Sequence, residues 1–323
     1  MNKPLAIIAG EPNSISSEII FKSWKLRKQY THKPLFVIGS IKLLNLQKKK
    51  LKYRIKIKKI NNNFKINDLK GSELAVYDIQ YAQKKSFEKI SSKSNKYVFK
   101  CFEEALKFVK NKKIIGFVNC PISKESLFKN KHQGITEFLS KKAGQQGSES
   151  MLIYNKRLSV SPVTTHIPLS QVNKKIDQYK IVKKVKVINN FYRKVFKKKP
   201  NFAILGLNPH NFSSLKKSEE KEIIAKAIKN LIKLKIKLIG PVAPDSSFMV
   251  FKKNKFDVII GMYHDQVLTP FKALFGFSAT NVTLGLPYIR TSPDHGTAEN
   301  IVGKRIANPK SLIESIKFFN YIK

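Results

Sequence analysis

Short, unbroken apolar runs alternate along this chain with longer, lysine-decorated segments of helical period, and few architectures can bury such a pattern. The runs at residues 5–9, 35–38, 114–118, 151–154, 202–205 and 258–260 are bounded by Gly, Pro, Asn or charged residues. Each is continuously apolar rather than alternating, which is how a strand reads when both faces of its sheet are covered. Between them lie segments such as 17–28, 96–110, 174–196 and 219–233. In the last of these Ile223, Ile224, Ala227, Ile228, Leu231 and Ile232 fall on one stripe at helical spacing. Strand–helix alternation over the whole length predicts an α/β fold with mostly parallel sheets. A chain of 323 residues is long enough for two lobes, each with its own core. No internal repeat is visible, and the Lys-, Ile- and Asn-rich stretch 48–70 reads as a peripheral insertion or edge hairpin. Turn residues put the change of lobe near 131–134.

In an open α/β sheet, ligands bind where the loops leave the carboxyl ends of the strands. Three of the six histidines stand there. His166 closes Val163-Thr164-Thr165-His166, His210 closes Gly206-Leu207-Asn208-Pro209-His210, and His264 lies in Gly261-Met262-Tyr263-His264-Asp265; each follows a strand-like run. Neutral imidazole is the commonest protein ligand of a divalent transition metal, and three with one position left open describe a catalytic metal site. The plainer alternative makes each a loop-end histidine bonded to backbone. Asp265, next to His264, can orient a metal-bound imidazole or act as a base.

The net charge of +42 invites a nucleic-acid reading, but only six of the 63 basic residues are arginine, and the lysines are spread through the chain. Base and phosphate recognition favours the arginine fork beside stacking aromatics. Lysine here accompanies abundant Asn, Ile and Phe, which points to codon bias placed on solvated faces, with no nucleic acid as partner. Two cysteines, Cys101 and Cys120, make neither a disulfide framework nor a four-thiolate site. The N-terminal apolar run is too short for a signal sequence and no run approaches a bilayer span, so no membrane and a cytoplasmic location are expected.

No G-x-G-x-x-G follows the first strand and no Walker A sequence occurs. The densest polar and glycine-containing stretch is 281–298. It holds Arg290, and in so lysine-rich a chain an arginine signals a need for a planar, bidentate grip on carboxylate or phosphate. Asp294, His295, Gly296 and Thr297 add donors and a pliable backbone at a loop-to-helix turn, and are assigned to cofactor binding.

Taken in order, these segments resemble the 4-hydroxythreonine-4-phosphate dehydrogenase family of pyridoxal phosphate biosynthesis. The resemblance runs through Gly10-Glu11-Pro12, Pro121-Ile122-Ser123-Lys124, residues 134–139, Thr164-Thr165-His166, residues 206–210 and residues 240–248. It is most specific in Met262-Tyr263-His264-Asp265-Gln266 and residues 281–298. It implies two α/β/α lobes similar to isocitrate and isopropylmalate dehydrogenases, with NAD and substrate in the cleft between them. The lobes would be 1–130 with 285–323 returning to it, and 131–284. It implies His166, His210 and His264 as ligands of zinc, magnesium, cobalt or manganese, with His264 reaching a site shared across a homodimer. Thr136, Lys272, Asn281 and Arg290 match positions that hold the phosphorylated substrate, and Asp265 and Lys272 are the catalytic candidates. The implied reaction is NAD-dependent oxidation and decarboxylation of 4-phosphohydroxy-L-threonine. The chain departs from the pattern at Ile135, where the family usually has a substrate-contacting histidine, and at Asn211-Phe212-Ser213 after His210. Ser14, Ser16 and Val267 stand where glycines are customary. Ile135 keeps open a phosphorylated threonate or erythronate as substrate; a metal-dependent hydrolase and a nucleic-acid binder are the rivals of other classes.

Overall fold

The computed structural model describes residues 3–128, 134–147, 149–212 and 217–322. The strands are β1 (Leu5–Ile8), β2 (Leu35–Gly39), β3 (Ile57–Ile60), β4 (Leu74–Asp78), β5 (Gly116–Asn119), β6 (Ser150–Tyr154), β7 (Ser159–Pro162), β8 (Phe202–Leu205), β9 (Leu238–Val242), β10 (Val258–Gly261), β11 (Thr280–Leu284) and β12 (Ile289–Pro293). The helices are α1 (Ser16–Leu26), α2 (Ile41–Lys50), α3 (Asn95–Lys110), α4 (Lys124–Phe128), α5 (Ile135–Lys142), α6 (Val172–Lys175), α7 (Gln178–Phe191), α8 (Ala225–Lys233), α9 (Pro244–Val250), α10 (His264–Phe275) and α11 (Lys310–Lys317). All six apolar runs become strands, and β1, β2, β5, β8 and β10 are buried from end to end, as continuous runs require.

The chain divides into two compact units, residues 1–149 with 286–321, and residues 150–285 with the last two residues. In the first unit the strand order is β3-β4-β2-β1-β5-β12 and every described pair is parallel. Segment 48–70 does supply the edge strand β3, but β3 runs parallel to β4 rather than forming a hairpin, because the chain returns through a 3₁₀ turn at Ile66–Leu69. The change of unit falls at 149/150 rather than 130/131, and the return at 285/286 rather than 284/285. The reason is α5: Ile135 and Leu139 are buried in the first unit's core with Phe102, Phe117 and Leu127, and Phe138 packs against them. Residues 129–133, where the expected boundary lies, are outside the described residues.

In the second unit the order is β11-β6-β7-β10-β8-β9. The pairs β7–β10, β10–β8 and β8–β9 are parallel, while β6 runs antiparallel to both β11 and β7. The core joins Ile153, Val160, Ala203, Leu205 and Ile259 of the strands to Val267, Leu268 and Phe271 of α10. The apolar stripe that runs from Ile224 into α8 is narrower than its sequence, since Ile224, Ala227, Ile228 and Leu231 are buried but Ile232 is 56% exposed.

Candidate active site

Strands β7, β10 and β8 are neighbours and parallel, so their carboxyl ends share one edge of the second unit's sheet. His166, His264 and His210 leave from that edge, four, three and five residues past the respective strands. His166 and His210 are exposed with left-handed backbones, φ 54° and 51°. That is uncommon for a residue with a side chain, although histidine tolerates it better than most. His264 opens α10, with its ring 5.7 Å from that of His166 and tilted by 39° to it. Its Nδ1 lies 2.6 Å from Asp265 Oδ1, which fixes the ring and leaves the other nitrogen for a ligand. One exposed and one partly exposed imidazole, the latter oriented by a carboxylate, are a donor set suited to a divalent transition metal. Among the described residues no three of His, Cys, Asp or Glu are grouped closely enough to hold an ion. The fold of one chain thus pairs His166 with His264 and does not gather His210 into a set of three. Of the sequence after His210, Asn211 donates from Nδ2 to Pro241 O, and Ser213 lies outside the described residues.

Lys272 is half-buried near the end of α10. Asn281 sits on β11, and its Oδ1 is buried without a hydrogen-bond partner, an acceptor waiting for a donor.

The remaining candidates belong to the first unit. Arg290 on β12 is 1% exposed, and its Nε donates to Asn119 Oδ1 at the end of β5 over 2.6 Å. Burial pulls its guanidinium down to about 10, against the charges of Tyr288 and Glu137, so it remains a cation at neutral pH. Tyr288 Oη is also buried without a hydrogen-bond partner, and desolvation pushes this phenol up to about 12. Lys124, the first residue of α4, is held below the usual lysine range by desolvation and then by the Arg290 charge. Thr136 lies in the first turn of α5 beside Glu137, whose carboxylate is the counter-charge common to Arg290 and Lys124. Ile135, in the same turn, is 5% exposed and committed to the core.

In the stretch assigned to cofactor binding, Asp294 and Ser311 hold each other, amide to Oγ at 3.0 Å and Oγ to carboxylate at 2.8 Å, which anchors the start of α11. His295 Nδ1 lies 3.1 Å from Gly296 O, and Thr297 O accepts from Ile15 N. That last bond ties the stretch to the loop after β1. Here Glu11, 2% exposed, accepts from Ser94 Oγ and Asn13 N, yet burial keeps its carboxyl above the usual range. Ser14 occupies its glycine position usefully, its Oγ donating to Glu11 O and sharing a hydroxyl–hydroxyl hydrogen bond with Ser16 Oγ.

Lys124, Gln266, Glu11 and Tyr288 stand inside the family-like motifs without a role legible from sequence, and Glu220 stands outside those motifs. The partners of Glu11, Glu220 and Gln266 are 12 to 83 residues away or are backbone atoms, which no local spacing reveals.

Histidines at the carboxyl ends of neighbouring parallel strands define an α/β protein with its candidate site at that edge of the sheet. The chain is similar throughout to the 4-hydroxythreonine-4-phosphate dehydrogenase of Klebsiella pneumoniae, at TM-score 0.87 and 28% identity over 100% of this chain and 99% of that one. It shares its fold alone, at TM-score 0.64 and 18% identity, with a terephthalate 1,2-cis-dihydrodiol dehydrogenase from Burkholderia xenovorans. More particularly, the chain belongs to the family of the pyridoxal phosphate biosynthetic protein PdxA, whose model matches residues 31–319. Among its relatives is the 4-hydroxythreonine-4-phosphate dehydrogenase of Sulfurihydrogenibium sp., 38% identical over 99% of this chain and 98% of that protein. Another, from Oceanobacillus iheyensis, is provisionally named a D-threonate 4-phosphate dehydrogenase and is 30% identical over 97% and 96%. No helix among the described residues is long and apolar enough to cross a membrane.

Proposed function

We propose that this chain oxidises and decarboxylates 4-phosphohydroxy-L-threonine to 3-amino-2-oxopropyl phosphate, with release of CO2 and reduction of NAD, in pyridoxal phosphate biosynthesis. The observation that carries this reading is the His166–His264 pair with Asp265 behind it, in a chain whose relatives bear that enzyme's name. A divalent cation (zinc, magnesium, cobalt or manganese) held by His166, His264 and His210 would polarise the substrate's hydroxyl, and NAD would take the hydride.

The chain's own groups do the rest. Asp265 fixes the His264 ring and stands ready to move a proton. Arg290 offers a desolvated guanidinium to phosphate or carboxylate, a setting in which charge-assisted bonds are strongest. Lys272 and Thr136 supply a point charge and a hydroxyl, and the bare Asn281 Oδ1 accepts from a substrate donor such as an ammonium or hydroxyl. Residues Asp294, His295, Gly296 and Thr297 line the cofactor in this reading. The working unit is a homodimer whose second copy completes the metal site, located in the cytoplasm.

NADH formation from 4-phosphohydroxy-L-threonine, abolished by a chelator and restored by added metal, is the test; no turnover of that compound sinks the proposal. A second reading keeps the chemistry and changes the substrate to a phosphorylated threonate or erythronate. It is favoured by Ile135, which has no polar atom to offer a substrate and lies in the core, and by the Oceanobacillus relative's name. Faster turnover of those compounds in the same assay would decide for it.

A further inference from the structure

The three histidine loops are tied by buried hydrogen bonds: Met262 O joins the loop of His166 to that of His264, and the Gln266 side chain joins Met262 to the strand end before His210. Gln266 lies two residues past His264, in the first turn of α10, and is 9% exposed. Its Oε1 reaches back to accept from Met262 N at 2.6 Å, in the manner of a capping-box residue. Its Nε2 donates to Gly206 O, 60 residues away, at 2.8 Å. On one side, Met262 O accepts from both Thr164 N and Thr164 Oγ1, at 3.1 and 2.7 Å, which binds the loop of His166 to that of His264. On the other, Gly206 leads directly into Leu207 and Asn208, whose amides both donate to Glu220 Oε1 at 2.8 Å and so fix the path toward His210. The two strand-end glycines make the approach possible. A Cβ on Gly261 would stand 2.8 Å from Gln266 Oε1, and one on Gly206 would collide with Asn211 Oδ1.

We infer that Gln266 is the positioning residue of the metal centre, holding the His210 loop in register with the loops of His264 and His166. The amide does both jobs, accepting from one backbone and donating to another, whereas a carboxylate has no donor and an apolar chain has neither. The inference rests on the proposed metal-dependent reading and adds to it the device that sets the ligand spacing. Residues that orient metal ligands typically change metal affinity about 10- to 100-fold when replaced.

The test is titration of the metal-stripped full chain with zinc, with cobalt as a spectroscopic probe, for the wild type, Q266E, H210A and the double variant. Gln266→Glu keeps the acceptor for Met262 but turns a carboxylate toward Gly206 O. The expected result is zinc binding weakened about 10- to 100-fold, a changed cobalt ligand-field spectrum, and no further weakening when Q266E is added to H210A. Wild-type zinc affinity in Q266E, or an equal loss in the H210A background, overturns the inference, because a merely structural role acts independently of His210. Should Q266E not fold, Q266M keeps the volume, removes both bonds and is judged by the same cycle. If H210A alone binds zinc as the wild type does, the failure lies in the metal-site reading, and it is seen without any change at Gln266.

Discussion

His264 gains its chemistry from its immediate neighbour. With Nδ1 held by Asp265 at 2.6 Å, the ring presents its other nitrogen in one orientation. Asp265→Asn keeps the shape but weakens the anchor, and we expect zinc affinity to fall about 10-fold or more by titration, with the melting temperature little changed, since Asp265 is exposed. Arg290 is read differently, because it is buried and titrates at about 10. Its charge, and with it anion binding, persists through neutral pH and is lost as the pH climbs past that value. The KM for the phosphorylated substrate should therefore stay level near neutrality and rise as the pH approaches about 10; a KM that already climbs below that range argues against Arg290 as the anion contact. Ile135 invites restoration of the family histidine. Its position in the core predicts the opposite of a gain: Ile135→His places a polar ring among Leu127, Leu139 and Phe138 and should cost about 1–3 kcal/mol in chemical denaturation.

At the scale of elements, the loop after β8 is pinned by a carboxylate from the next helical segment. Burial alone would raise the Glu220 carboxyl, but the Leu207 and Asn208 donors outweigh it and hold it below the usual 4.5. A depressed folded-state value means stability present above 4.5 and lost as the pH falls through the folded value. The melting temperature of Glu220→Gln should thus lie clearly below wild type near neutral pH, with the gap closing in acid; a gap independent of pH refutes the carboxylate's role. The elements also show what spacing conveys. The apolar runs and the α8 stripe were legible because burial on a regular element leaves a period. That α5 joins the first unit was not legible, because the same Ile135–Leu139 face would suit either core, and β3's parallel pairing is set by its connection rather than by its residues.

For the molecule as a whole, the +42 charge surrounds any site with a field attractive to anions. We expect the KM of a phosphorylated substrate to rise with ionic strength while kcat holds, measurable from about 50 to 300 mM salt, about one third to twice the physiological ionic strength. DNA or RNA affinity with a steep salt slope that survives alanine at His166, His210 and His264 would instead favour the nucleic-acid reading. The sequence alone determined the α/β class, the strand-end histidines and the motifs of the family, since these depend on residue type, order and local period. Only the tertiary structure decided that the rings of His166 and His264 meet, that Ile135 is core, and that Gln266 ties loops 60 residues apart. Contacts of that kind join residues distant in the chain, so the sheet that brings strands β7, β10 and β8 side by side creates them and no stretch of sequence encodes them locally.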